Sequence, residues 1–180
     1  MSAFALRRAT EADLPAVGAL IRDSVRGLSA GHYTPAEAES GLTHLFGADT
    51  QLVRDGTYFV VEAEGALCAA GGWSARRTLY GGDQHKPADD PRLDPAAEPA
   101  RIRAFFVHPD WARRGLGRLL FEHCRAEARA AGFTRLELLS TLPGEPLYAA
   151  LGFAVRERVT VTLPDGAALG GAVMHRAVDD

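Results

Sequence analysis

The residues with the most chemistry to offer are Arg113-Arg114-Gly115-Leu116-Gly117-Arg118. Two glycines let a ligand approach the backbone, and three arginines bring charge and forked donors suited to a pyrophosphate. If a helix begins here, its first amides have no internal partner and converge on an anion at the positive end. The spacing fits neither of two common phosphate motifs. The third glycine of a dinucleotide fingerprint would fall at Leu120, and the lysine of a P-loop at Leu119. A plainer reading stays open, in which the glycines only permit a tight turn and the arginines are solvated.

An anion cradle of this kind needs a strand ending and a helix starting around it. Ile102 to Val107 reads as that strand, stopped by His108-Pro109, because proline lacks an amide donor and biases its predecessor to extended geometry. His108 is read as structural. The helix begins around Gly115, with Leu116, Leu119, Leu120, His123 and Cys124 on one face and Gly132 as a left-handed stop. Upstream, Phe4 to Arg8 opens as a strand, and Thr10 with Asp13 caps a helix whose apolar stripe runs Leu14, Val17, Leu20, Ile21, Val25, Leu28. Thr34-Pro35-Ala36-Glu37 starts a second helix that stops near Gly47.

Tyr58-Phe59-Val60-Val61 and Ala66 to Trp73 form a hairpin about Glu64-Gly65. Ala75 to Ala100 turns to Gly, Pro, Asp and Arg without periodicity, which marks a long loop or insertion. Leu136 to Ser140 is a strand, Pro146 to Leu151 a short helix, and two strands flank Pro164-Asp165-Gly166. Strand, two helices, three strands, helix, strand, helix and two strands is an order that suits a mixed α/β sheet covered by helices on both faces.

The 180 residues, 47% hydrophobic and 24% charged, supply the core of one domain spanning 1–180. A net charge of -3 gives no global basic field, which disfavours nucleic acid as a partner. Apolar runs fall well short of the roughly 20 residues that cross a bilayer, and Met1 to Thr10 lacks the apolar middle of a secretory signal, so the expected setting is cytoplasmic, away from membranes. Cys68 and Cys124 lie in apolar patterns without ligand spacing and read as buried reduced thiols.

Val107-His108-Pro109-Asp110-Trp111 followed by the glycine loop resembles the pyrophosphate loop of the GNAT superfamily of N-acetyltransferases, Gln/Arg-x-x-Gly-x-Gly/Ala after a strand ending in a Val-x-Pro-like segment. Aligned on the glycines, the first family position falls on Ala112, leaving Arg113 to supply the charge. Leu147-Tyr148-Ala149-Ala150-Leu151-Gly152-Phe153 resembles the second family signature, with Thr141 to Gly144 leading into it. Pro143, Gly144 and Pro146 depart from the asparagine and alanine of many relatives.

The resemblance implies a GNAT-like α/β (α+β) fold with a mixed, mostly antiparallel central sheet of about seven strands and helices on both faces. It implies acetyl-CoA as co-substrate and no metal. The edge of Phe105, Phe106 and Val107 would pair with the pantetheine arm, and the amides of Arg113, Arg114, Gly115, Leu116, Gly117 and Arg118 would hold the pyrophosphate. Thr141 would lie on the coenzyme side, and Tyr148 beside the sulfur as the acid for the leaving thiolate. Core packing of Phe105 and Phe106 on opposite faces, and of the Tyr148 ring, are the alternatives.

The implied partner is a small-molecule or peptide amine, and the implied assembly a monomer or homodimer. Such an amine must lose a proton before it attacks; the sequence does not identify the base, and the candidates Glu98, His85, Glu37 and His32 each read more readily as solvated or capping residues. Arg101 and Arg103 share strand parity with Phe105, so they either face the acceptor cleft and select an acidic substrate or lie on a solvated face. The 75–100 insertion is either a lid over the acceptor or a mobile loop. Two other functions stay in play: a non-catalytic acetyl-CoA/CoA sensor, and a nucleotide-binding oxidoreductase weakened by the missing third glycine.

Overall fold

The computed structural model describes residues 3–179; Met1, Ser2 and Asp180, part of the expected 1–180 domain, lie outside the described residues. Its strands are β1 (Ala5–Arg8), β2 (Tyr58–Ala63), β3 (Ala66–Ser74), β4 (Ala100–Val107), β5 (Arg135–Thr141), β6 (Ala154–Thr162) and β7 (Ala168–Ala177). The helices are α1 (Leu14–Leu28), α2 (Pro35–His44), α3 (Thr50–Arg54), α4 (Leu116–Ala130) and α5 (Glu145–Ala150). The strands form one sheet in the order β1-β2-β3-β4-β5-β7-β6. Every neighbouring pair is antiparallel except β4 and β5. This is the mixed, mostly antiparallel seven-stranded sheet expected.

Each face is covered by the helix whose apolar stripe matches it. α1 buries Val17, Leu20, Ile21 and Val25 against Tyr58, Val60 and Ala70. α4 buries Leu116, Leu120, Phe121, Cys124 and Ala128 against Phe59, Val61, Ala69 and Trp73 on the other face. Leu119, expected on that stripe, is 39% exposed, because the packed face turns toward Gly117 and Phe121. The Thr34–Glu37 capping box forms as expected, with the Glu37 amide donating to Thr34 Oγ1 at 3.1 Å and the Thr34 amide donating to the Glu37 carboxylate at 2.9 Å.

One element was not foreseen. α3 is only five residues long, too short for a periodic signal, and exists because Asp49 accepts from the Gln51 amide at 2.9 Å while Leu52 and Val53 are buried. Cys68 and Cys124 are buried free thiols. Among the described residues, no helix is long and apolar enough to cross a membrane.

Candidate active site

The site begins with a fault in the sheet. β4 and β5 run parallel but pair only at Ala100–Leu136 and Arg101–Glu137, after which they diverge. On its other edge β4 carries one residue more than β3 between the pairs Gly72–Arg103 and Ala70–Phe106, and Ala104 takes up the excess at φ 54°. The hydroxyl of buried Tyr58 donates to the Ala104 carbonyl at 3.0 Å and holds this bulge. Past Arg101, the β5-facing edge of β4 therefore lacks a strand partner and borders a cavity of about 850 Å³ that reaches both faces of the sheet. That volume lies within the range of small-molecule sites.

At one end the cavity meets the start of α4. Arg113 at φ 64° and Gly115 at φ 81° turn the chain through two left-handed positions. The Leu119 amide, donating to the Gly115 carbonyl at 3.0 Å, closes the first turn, so those of Leu116, Gly117 and Arg118 precede the helical ladder. A Cβ on Gly115 would meet nothing within 4 Å, whereas one on Gly117 would stand 2.6 Å from Cδ2 of Leu147. The first glycine leaves room at the surface of the loop; the second lets α4 lie against α5. Arg113 and Gly115 to Arg118 line the cavity, but the Arg114 guanidinium lies over the Trp111 ring at 4.7 Å and donates to the Asp110 carbonyl at 3.2 Å.

Tyr148 enters from α5. Its ring packs between Phe105 and Phe153, with centroids 6.2 and 5.8 Å away, and the residue is 8% exposed yet lines the cavity. Burial pushes its phenol well above the ordinary tyrosine range, so the proton stays on at neutral pH. The turn delivering it is fixed by Thr141, whose Oγ1 accepts from the Gly144 amide at 3.2 Å, and Thr141 also lines the cavity. Phe105 and Phe106 face opposite sides, toward α4 and α1 respectively, and with Val107 border the same space.

The bulge overturns one expectation from strand alternation. Ile102 and Phe105, three residues apart, lie on the α4 face together, so Arg101 and Arg103 do not share a face with Phe105. The Arg103 side chain, 2% exposed, donates to Asp49 at 2.9 Å and to the carbonyls of Gly81 at 2.6 Å and Thr78 at 3.2 Å. Arg101 pairs with Glu137 at 3.0 Å, away from the cavity. Neither guanidinium is a free acceptor-side cation.

Arg103 pins the 75–100 segment from beneath, and Arg76 paired to Asp55 at 2.6 Å, the Thr78 amide on Asp90 at 2.8 Å and Lys86 on Asp49 tie it further. Leu79, Tyr80, Gly81 and Gly82 of this segment line the cavity. Of the candidate bases only His32 does so; Glu37 caps α2, Glu98 accepts from the Asp94 amide at 2.8 Å, and the His85 ring is tilted against Tyr80 at 5.2 Å. Tyr33, unremarked in the sequence, donates to the Gly170 carbonyl at 2.6 Å and accepts from the Leu142 amide at 3.0 Å, joining the α1–α2 linker to the β5–β7 end of the site. No local spacing could have announced it.

The sequence and the fold have counterparts among known proteins. A family model described as an acetyltransferase (GNAT) domain matches residues 54–155. The GCN5-related N-acetyltransferase (Aminotransferase, Class-II) of Rhodopseudomonas palustris superposes with a TM-score of 0.73 at 19% identity, over 98% of this chain and 97% of that one. The putative acetyltransferase yncA of Salmonella typhimurium, solved with acetyl-CoA, gives 0.64 at 20% identity over 99% and 95%. A phosphinothricin acetyltransferase of Sinorhizobium meliloti in complex with AcCoA gives 0.63 at 24% over 97% and 88%. The matched segment contains the splayed strand, the α4 loop and the Tyr148 helix alike, and by it the chain belongs to the GNAT acetyltransferase family.

Proposed function

We propose that the chain transfers the acetyl group of acetyl-CoA to a primary amine, by direct attack while both substrates are bound. The observation that carries the reading is the junction of the unpaired β4 edge with the glycine loop of α4 in one cavity. The edge of Phe105 to Val107 offers amides and carbonyls to an amide-rich arm, as a strand would. The amides from Arg113 to Arg118, with Arg113 and Arg118 among the residues that line the cavity, suit the pyrophosphate. Thr141 then shapes the turn on the coenzyme side rather than contributing charge.

Acetyl-CoA supplies an activated acetyl thioester. The amine nitrogen bonds to the acetyl carbon, the carbon–sulfur bond breaks, and the departing sulfur takes a proton from Tyr148, which solvent replenishes. A phenol kept protonated by burial fits that task and does not fit the task of base. The amine sheds its proton to water through the open side of the cavity, where, among the described residues that line it, His32 is the one titratable side chain apart from the tyrosines and arginines.

Two measurements test this. Titration calorimetry should show acetyl-CoA binding, and free thiol should then appear at a rate that depends on added amine. Binding without amine-dependent release would leave a coenzyme sensor, and no binding would remove the reading altogether.

A further inference from the structure

We infer that the acceptor is a monoamine with an apolar body, and that polycationic amines are rejected. The inference rests on the acetyltransferase reading for the identity of the site, but its evidence is the apolar part of the cavity wall. That part is built from Leu28, Leu45, Phe46, Tyr80, Phe106 and Leu169, brought together from α1, the α2–α3 linker, the 75–100 segment, β4 and β7. Phe46 and Phe106 meet edge to face at 6.4 Å, and both keep apolar surface open to the cavity.

Among the described residues lining the cavity there is no aspartate or glutamate. The polar side chains beside this wall, the hydroxyls of Ser24, Ser29, Tyr33 and Tyr80, the imidazole of His32 and the paired Arg103, include no carboxylate, and burial raises the Tyr33 phenol above its ordinary range. Two carbonyls of the lining already accept a hydrogen bond from the protein, Gly81 from Arg103 and Gly170 from Tyr33, and neither carries a charge. The nearby buried carboxylate, Asp49, is taken up by Arg103, Lys86 and the α3 amides. A second ammonium in the substrate would therefore shed its water without gaining a counter-charge, which is costly, whereas each methylene gains from burial. Selection arises as much from that exclusion as from the apolar contact.

Hexylamine and 1,5-diaminopentane make a matched pair, of nearly equal length and differing in a terminal methyl against a terminal ammonium. Their kcat/KM values with saturating acetyl-CoA, and their binding to the CoA-loaded protein by calorimetry, form the experiment. We expect hexylamine to be favoured by about a hundredfold or more in kcat/KM, and kcat/KM to rise about fourfold per methylene from propylamine to hexylamine. Equal or better turnover of the diamine would overturn the inference while leaving acetyl transfer intact. Hexylamine-selective binding with no thiol release from any amine would overturn acetyl transfer but uphold the apolar site. Failure of both amines to bind the CoA-loaded protein at tens of millimolar would overturn the inference.

Discussion

Tyr148 concentrates the proposed chemistry in one hydroxyl. Tyr148→Phe keeps the ring between Phe105 and Phe153, so acetyl-CoA affinity should change little while the single-turnover rate falls roughly 10²- to 10⁴-fold, the usual contribution of a positioned acid. A wild-type single-turnover rate would show that water protonates the sulfur instead. Because burial raises this phenol, its ionisation should not cut activity anywhere below pH 10, and any limb at lower pH belongs to another group. The two loop glycines should separate in the same assays. Gly115→Val forces a β-branched residue to φ 81°, which destabilises the cradle by about 1–3 kcal/mol and should weaken acetyl-CoA at least tenfold. Gly117→Val pushes against Leu147 instead and so should depress turnover more than affinity, through displacement of the helix that carries Tyr148.

Among the elements, the 75–100 segment depends most on a single contact. Arg103 and Asp49, 2% and 1% exposed, bind each other and anchor the carbonyls of Thr78 and Gly81. Arg103→Met leaves Asp49 with Lys86 and the α3 cap alone, and should lower unfolding free energy by about 3–5 kcal/mol in a denaturant titration. The amine KM should rise as well if Leu79 to Gly82, which line the cavity, form the proposed acceptor side, while coenzyme affinity should hold. Coenzyme binding weakened as much as amine binding would mean that the segment supports the whole cavity and is no separate acceptor wall. The Asp49→Asn, Arg103→Met double variant should recover little of the lost stability, since Lys86, 13% exposed, then keeps only Asp83 at 3.7 Å as a counter-charge.

For the molecule as a whole, one contribution to acid stability comes from the ties that bind β1 to the start of α1. Arg7 donates to Asp13 at 2.8 Å and to Glu62 at 2.7 Å. The guanidinium holds the Asp13 carboxyl down at about 2, from an ordinary 3.8. A carboxyl depressed in the folded state stabilises it above the unfolded value and loses that contribution as pH falls through the folded one. The stability difference between wild type and Asp13→Asn should therefore be constant above pH 5 and shrink between pH 4 and 2. A difference that does not change across that window would mean that the ion pair does not distinguish folded from unfolded chain.

What could be read without a fold is what short stretches of chain control. Helix stripes, the Thr34–Glu37 cap and the left-handed stop at Gly132 follow from residue spacing and backbone sterics within a few residues. They locate the glycine loop at a strand–helix junction and Tyr148 on a short helix. The strand parity of Arg101 and Arg103 failed because the bulge at Ala104 is set by pairing with β3, and one extra residue reverses which face every later side chain takes. α3 escaped notice because a five-residue helix is held by its cap and its burial, with no period to display. The pairing of Arg103 with Asp49 spans 54 residues, and the apolar wall proposed for the acceptor draws on segments from Leu28 to Leu169. Only chain closure brings such residues together, and only then does the lack of any carboxylate around them become a property of one site.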